Sequence, residues 1–184
     1  FSKKEDIEIS VFLTATIEWR KRKSIIKNAL ELMQLMDESP FEFVMNHEDK
    51  DLIKLQKFVH RTFNSNDLIC FLQSLRHLYA QYQGMENIFL QHAENRSLQK
   101  AIHQFKQVFF ELPHPARTEK HISDPLSGSA AKRINMFLRW MVRRDNRGVD
   151  LGIWKSLSPS QLSCPLDVHS GQVARKLGLL TRTQ

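Results

Sequence analysis

Residues 124–142 read Asp-Pro-Leu-Ser-Gly-Ser-Ala-Ala-Lys-Arg-Ile-Asn-Met-Phe-Leu-Arg-Trp-Met-Val and join two different local patterns. The first half of this stretch is rich in small residues, which allow the backbone to bend sharply and to approach another surface closely. Its second half repeats apolar residues with helical spacing, which predicts a helix with one buried face. The residues of that face are Ile134, Phe137, Leu138, Met141 and Val142. The stretch therefore predicts a tight turn that places Lys132 at the start of an amphipathic helix.

The same helical spacing recurs along the rest of the chain. Further buried faces are predicted from Ile9, Phe12, Leu13 and Ile17; from Ile26, Ala29, Leu30 and Met33; from Leu68, Phe71, Leu72, Leu75 and Leu78; and from Ile102, Phe105, Val108 and Phe109. Alternating strand patterns are nearly absent. The sequence therefore predicts an all-α fold.

Composition restricts the class of protein. The 184 residues carry 27 Lys+Arg against 20 Asp+Glu, a net charge of +7, which favours polyanionic partners without proving nucleic-acid binding. No apolar run approaches the roughly 20 residues needed to span a bilayer. The two cysteines are too few for a four-cysteine iron–sulfur cluster, and reduced thiols in a cytoplasmic protein are expected.

A carboxylate near a second predicted helix is the other notable feature. Asp167 follows Pro165-Leu166 and precedes an amphipathic segment, so it is expected to begin a helix. Asp150 is the rival carboxylate, but Gly152 just after it is poorly suited to a helix start. We therefore favour Asp167 as the partner of Lys132.

Basic residues suggest a surface for phosphates. Lys132, Arg139 and Arg143 lie on one side of the helix that follows the turn, and the amides of the turn could bind an anion. A further basic run, Trp19-Arg-Lys-Arg-Lys23, separates two predicted helices. The alternatives are a plain connection between helices at the turn and a solvated junction at the basic run.

The turn resembles the hairpin of the helix-hairpin-helix DNA glycosylase superfamily, which includes endonuclease III and the 8-oxoguanine glycosylases. In Leu126–Lys132, Gly128 matches the first hairpin glycine, Ala130 replaces the second, and Ser127 replaces a proline. Lys132 falls on the lysine that acts as nucleophile in the bifunctional members. Residues 165–169, Pro-Leu-Asp-Val-His, are similar to the segment that carries the catalytic aspartate of these enzymes.

Two further segments, 132–144 and 149–154, resemble an uncharacterised bacterial family allied to these glycosylases. The resemblance implies one domain over residues 1–184, incomplete at both ends, with two helical lobes and the hairpin at the cleft between them. It also implies a monomer in the bacterial cytoplasm, associated with the nucleoid. The wide separation of Lys132 and Asp167 is closest to the archaeal 8-oxoguanine glycosylases.

The implied activity is a DNA glycosylase with AP-lyase activity on oxidised purine such as 8-oxoguanine, with Lys132 and Asp167 as catalytic residues. Cleaving an N-glycosidic bond builds positive charge on the sugar, which a carboxylate stabilises. An uncharged lysine amine attacks the anomeric carbon, once the nucleotide has been flipped out of the duplex. The alternatives are a non-catalytic DNA-structure-binding protein and a monofunctional glycosylase for alkylated or mismatched bases.

The implied partner is double-stranded DNA that contains damaged bases. The residues expected to contact it are Gly128, Ser129, Ala130, Arg20, Lys21, Arg22, Lys23, Arg139 and Arg143. Candidate pocket residues are Trp19, Trp154 and His169, although the two tryptophans are more often core residues. We expect no metal and no cofactor, and a monovalent cation at the hairpin is the one ion that the resemblance allows.

Overall fold

The structure is a computed structural model that describes residues 1–18 and 21–181. Most of this part of the chain is helical, as predicted. The α-helices are α1 (Lys4–Thr16), α2 (Arg22–Leu35), α3 (Pro40–Asn46), α4 (Asp49–Leu52), α5 (Ser65–Tyr82), α6 (Met85–Gln91), α7 (Gln99–Phe109), α8 (Lys132–Val142) and α9 (Val168–Lys176). Short 3-10 helices cover Ile53–Lys57, Ala116–His121, Pro125–Ser127 and Pro159–Gln161.

One small antiparallel hairpin interrupts the helices. Strands β1 (Val59–His60) and β2 (Phe63–Asn64) pair through His60 and Phe63 and leave a two-residue turn between them. Asn64 then caps α5, because its side chain accepts a hydrogen bond from the Asp67 amide while the Asp67 carboxylate accepts one from the Asn64 amide. The hairpin therefore leads directly into the longest helix described.

The core is built around Phe12 of α1. Its ring lies 5.4–5.9 Å from the rings of Phe71, Phe105, Phe109 and Phe137, which belong to α5, α7 and α8. The predicted apolar faces of α1, α5, α7 and α8 are all buried there. The buried side chains form one contiguous cluster, so the division into two lobes stays a prediction.

The predicted face of α2 is only partly buried. Ile26 and Leu30 are 49% and 59% exposed, whereas Leu32 and Met33 are buried. Ala29 is partly buried and packs against the core, so Ile26 and Leu30 are the two residues of the predicted face that lie outside the core. Periodicity identifies an apolar stripe, but it does not say how far along a helix that stripe is covered.

The segment after α8 folds back onto that helix. The amides of Leu151 and Gly152 donate to the Trp140 carbonyl at 2.8 and 3.1 Å, and the Trp154 amide donates to the Met141 carbonyl at 2.9 Å. The Trp154 indole is buried, and its Nε1 donates to the Glu8 carboxylate at 2.6 Å. This segment therefore ties the end of α8 to α1.

Replacing Gly152 by alanine is expected to destabilise the packing of this segment against α8. Gly152 has φ +57°, and an added Cβ would lie 2.6 Å from the Arg144 Cβ and 2.9 Å from the Arg143 carbonyl oxygen. We expect Gly152→Ala to lower the free energy of unfolding by about 2 kcal/mol in urea titration, because both backbone strain and the clash must be relieved. Gly148→Ala is the matched control, since Gly148 also has a positive φ but nothing within 4 Å. Equal losses in the two variants would contradict the close approach.

Candidate functional site

The predicted turn forms a compact hairpin that the Asp124 side chain organises. Its carboxylate accepts hydrogen bonds from the Leu126 amide at 2.9 Å and from the Ser127 hydroxyl at 3.2 Å. Gly128 adopts the left-handed conformation, at φ +82°, and its amide donates to the Pro125 carbonyl. That amide is therefore used inside the turn in the structure, and contact between Gly128 and a phosphate stays a prediction. An added Cβ at Gly128 would have open space around it, so the tip of the hairpin faces outward.

The second half of the hairpin leads into α8. The left-handed residue here is Ala131, at φ +44°, rather than Ala130, which was aligned with the second glycine. Ala131 is the N-cap residue of α8 and gives it no side-chain cap, so the first amides of the helix lack that hydrogen-bond partner. The hairpin is preceded by the 3-10 helices Ala116–His121 and Pro125–Ser127 instead of an α-helix.

The backbone carbonyl oxygens of the hairpin are the groups that could bind the monovalent cation implied by the resemblance. The Nδ2 of the buried Asn135 donates to the carbonyls of Ala130 and Ala131 at 3.3 and 3.0 Å. The Asp124 and Pro125 carbonyls accept amide hydrogen bonds within the turn. These four oxygens each accept a hydrogen bond in the structure, and a monovalent cation at the hairpin stays a prediction.

A cleft of about 1060 Å³ lies beside the hairpin. It is bounded by the hairpin residues 129–131, the end of α1, the start of α2 and one face of α8. Lys132, Met136 and Trp140 line it at successive turns of α8. Ile25, Ile26 and Val149 add an apolar wall, which explains why Ile26 is not covered by the core. The cleft thus combines an amine, a helix N-terminus and an apolar surface.

Two residues of the cleft were not singled out from the sequence as a site. Glu18 lines it just after α1, and burial raises the pKa of its carboxyl above the ordinary value. Trp140 lies two turns after Lys132, so the spacing of residues 132, 136 and 140 could have identified it as a neighbour of the amine. No local pattern could have placed Glu18 here, because it comes from a distant part of the chain.

Lys132 and Asp167 come within electrostatic range of each other. Asp167 is the N-cap of α9, as predicted, and its Oδ1 accepts hydrogen bonds from the Ser170 amide and hydroxyl at 2.7 and 2.8 Å. These hydrogen bonds hold the pKa of the Asp167 carboxyl below its ordinary value, and the charge of Lys132 lowers it further. Both side chains are exposed to solvent.

Asp150, the rival carboxylate, is buried inside an ion-pair cluster. Its oxygens lie 3.2 Å from the Arg139 Nε and 3.3 Å from the Arg143 Nε. The guanidinium groups of these two arginines are paired with Asp150 in the structure, and their predicted contact with DNA stays a prediction. Both remain partly exposed, at 41% and 50%. Asp150 begins no helix and faces no cleft, so its geometry is that of a structural residue.

The basic run lies at the start of α2. Lys21 is the N-cap of that helix, Arg22 and Lys23 form its first turn, and all three are exposed. Arg22 lines the cleft. Trp19 and Arg20, which were also predicted to be site residues, lie outside the described residues.

The other two candidate pocket residues occupy different positions. Trp154 is 1% exposed and packs against Phe89 and Phe137, so it is a core residue and does not line the cleft. His169 is exposed in the first turn of α9, where its charge contributes to the lowered pKa of Asp167.

A second polar cluster lies beneath the 3-10 helix Ala116–His121. The buried Asp67 carboxylate accepts a hydrogen bond from the Thr118 hydroxyl at 2.8 Å and pairs with Arg117 at 3.0 Å. His121 Nε2 lies 3.3 Å from the same carboxylate. Burial lowers the pKa of His121 from 6.5 to about 4, so the ring is neutral near pH 7. The cluster joins Ala116–His121 to α5.

This lowered pKa predicts a loss of stability in mild acid. The unfolded chain takes up a proton on His121 near pH 6.5, whereas the folded chain takes it up near pH 4. Stability from this group is therefore complete above pH 6.5 and is lost as the pH falls to 4, by about 2 kcal/mol after allowance for solvent screening. Urea titrations across this range should show the slope, and His121→Gln should reduce it. An unchanged slope in that variant would contradict this role of His121.

Within residues 1–18 and 21–181, no group of three or more His, Cys, Asp or Glu side chains is arranged to hold a metal ion. Cys70 is a buried free thiol, and Cys164 is an exposed one. No helix in the same part of the chain is long and apolar enough to cross a membrane.

Comparison with known proteins gives one match. A protein-family model described as "Protein of unknown function (DUF2400)" matches residues 1–184, which is the whole chain. No curated protein and no solved structure matches the chain.

Proposed function

We propose that this chain, which belongs to the DUF2400 family, is a DNA glycosylase with AP-lyase activity that acts on oxidised purine in double-stranded DNA. The observation that carries the proposal is the cleft of about 1060 Å³, where the hairpin and the start of α8 bring Lys132 to the wall of a cavity. A base that leaves the duplex needs such a cavity, since its glycosidic bond cannot be reached inside the stack.

Electrostatics at the cleft favour a polyanion. Lys21, Arg22 and Lys23 lie at the N-terminus of α2, where the helix dipole is already positive and where no side-chain cap is made. Three cations at this end repel the dipole, and a bound phosphate would relieve that repulsion. The uncapped start of α8 adds amide donors at the same cleft.

The proposed reaction uses two side chains. The Lys132 ammonium first gives a proton to water, its Nζ then attacks C1′ of the flipped nucleotide, the N-glycosidic bond breaks, and the base takes up a proton as it leaves. The Asp167 carboxylate opposes the positive charge that develops on the sugar. The C1′–O4′ bond of the sugar then opens and O4′ takes up a proton, which leaves a protonated imine between C1′ and Lys132. This imine permits loss of the C2′ proton and β-elimination of the 3′ phosphate, which nicks the strand. The apolar residues Met136 and Trp140 offer a surface against which a base could pack.

Duplexes that each carry one lesion, 8-oxoguanine first, provide the test. Release of the damaged base together with a nick is expected for at least one oxidised purine, with an undamaged duplex as the control. Base release without a nick would identify a monofunctional enzyme and contradict the role of Lys132.

Binding of DNA without any cleavage is the second candidate function. It is favoured by one observation, namely that Lys132 and Asp167 are both exposed to solvent in the absence of DNA. If every lesion duplex is bound and none is cleaved, the non-catalytic DNA-structure-binding function replaces the enzyme.

A further inference from the structure

A second cavity, of about 330 Å³, adjoins the cleft. It lies between α1, the end of α8 and the segment that follows α8. Thr14, Trp140 and Val149 line both spaces, so they form the boundary between the cavity and the cleft. The residues that line the second cavity alone are Ser10, Val11, Gly148 and Leu151.

Trp140 lacks the partners that a tryptophan side chain usually has. Its indole is partly exposed, and within residues 1–18 and 21–181 no aromatic ring contacts it and no group accepts a hydrogen bond from its Nε1–H. Trp154, in contrast, is buried against Phe89 and Phe137 and donates its Nε1–H to Glu8. Because a packed indole normally uses both its ring and its N–H group, Trp140 offers an aromatic face and a donor to a ligand.

The backbone holds Trp140 in place at the cavity. Its carbonyl accepts hydrogen bonds from the amides of Leu151 and Gly152, at 2.8 and 3.1 Å. The same hydrogen bonds bring Leu151 to the wall of the cavity. A wall that is fixed before the ligand arrives loses little conformational freedom on binding, which favours affinity.

Two hydroxyl groups on α1 add acceptors to the lining. The Ser10 hydroxyl donates to the Ile7 carbonyl at 3.0 Å, and the Thr14 hydroxyl donates to the Ser10 carbonyl at 2.7 Å. Since each hydroxyl has used its one proton, its oxygen is left as an acceptor. No charged side chain is among the described residues that line the cavity. The lining therefore suits a neutral ligand that has a flat apolar face and both donors and acceptors.

We propose that this cavity is a binding site for a neutral nucleobase, which stacks on the Trp140 indole and forms hydrogen bonds with the Trp140 Nε1–H and the hydroxyl oxygens of α1. A nucleobase has an aromatic face together with donors and acceptors at its edge. An aliphatic side chain of a partner protein would leave the Trp140 donor unpaired, and a phosphate would find no cation in the lining. The inference goes beyond the proposed base-excision activity, because it concerns a separate cavity and requires no catalysis.

The free base 2-aminopurine is the probe for the first test, since it is neutral near pH 7 and its fluorescence falls when it stacks on an aromatic ring. Titration with the full chain should lower the fluorescence in a saturable way. Ser10→Phe places a ring in the cavity from the partly exposed surface of α1 and should weaken probe binding by about tenfold or more. Ser24→Phe is the matched control, because Ser24 is an exposed serine of α2 that lines neither cavity nor cleft.

Leu151→Ala tests the same site without added bulk, so it decides the question if Ser10→Phe does not fold. Loss of this apolar wall should weaken probe binding by about threefold. Leu179→Ala should leave probe binding unchanged, because Leu179 is an exposed leucine that lines neither cavity nor cleft.

Two results would overturn the site. One is a wild-type chain that does not quench the probe in a saturable way. The other is a folded cavity variant that binds the probe with the same affinity as its matched control. These measurements involve neither DNA nor base excision, so the failure of this site and the failure of the proposed enzyme are distinguishable.

A single-stranded oligonucleotide that contains one 2-aminopurine then identifies the source of the base. Quenching on binding that is lost in Ser10→Phe shows that the cavity takes a base of a DNA strand. Equal fluorescence with the wild type and with Ser10→Phe, combined with the loss of affinity for the free base, shows that the cavity takes a free base.

Discussion

Lys132→Gln is expected to abolish the covalent protein–DNA adduct that borohydride traps on a lesion duplex. The trapped species is the imine between Nζ and C1′, and a glutamine amide cannot form it. Duplex affinity should remain within about threefold, because only one of several cations at the cleft is lost. Gel separation of the adduct and a parallel binding titration measure the two effects.

Lys50→Gln is the matched control for this variant. Lys50 is an exposed lysine of α4 that pairs with Glu48 and does not line the cleft. The control should form the adduct at the wild-type rate. An adduct that persists in Lys132→Gln would show that another amine is the nucleophile.

Local patterns in the sequence predict much of this fold. The faces of α5, α7 and α8 repeat with helical spacing over several turns and are buried along their length. The turn before α8 is also correct, since Gly128 adopts a positive φ and Lys132 begins the helix. The predicted face of α2 is only partly buried, because burial depends on what covers a helix, and that is decided by contacts between distant segments.

The site is only partly predictable for the same reason. Asp167 could be recognised because helix capping is a local property. The ion pairs of Asp150 with Arg139 and Arg143 require the chain to return onto α8, which no spacing reveals. Glu18 lies just after α1 and lines the cleft beside α8. His121 contacts Asp67 of α5, although the two residues are far apart in the sequence. These residues become neighbours only when the core forms.

Asp167→Asn is expected to slow base release by about a hundredfold or more, because the developing sugar cation loses its opposing charge. The substitution tests charge and leaves the helix intact, since asparagine caps α9 about as well as aspartate. Single-turnover release of the damaged base is the measurement. Asp49→Asn is the control, because Asp49 is also an exposed carboxylate at the start of a helix.

Variants of two other carboxylates near α8, Asp150 and Glu18, test whether Asp167 is the catalytic carboxylate. Asp150→Asn should lower stability, because Arg139 and Arg143 lose their buried partner, while the folded protein keeps its rate of base release. Glu18→Gln preserves shape in the cleft but removes a carboxyl whose raised pKa suits proton transfer, so its pH–rate profile should be compared with that of the wild type. If Glu18→Gln loses base release and Asp167→Asn retains it, the catalytic carboxylate lies in the cleft at the end of α1 rather than at the start of α9.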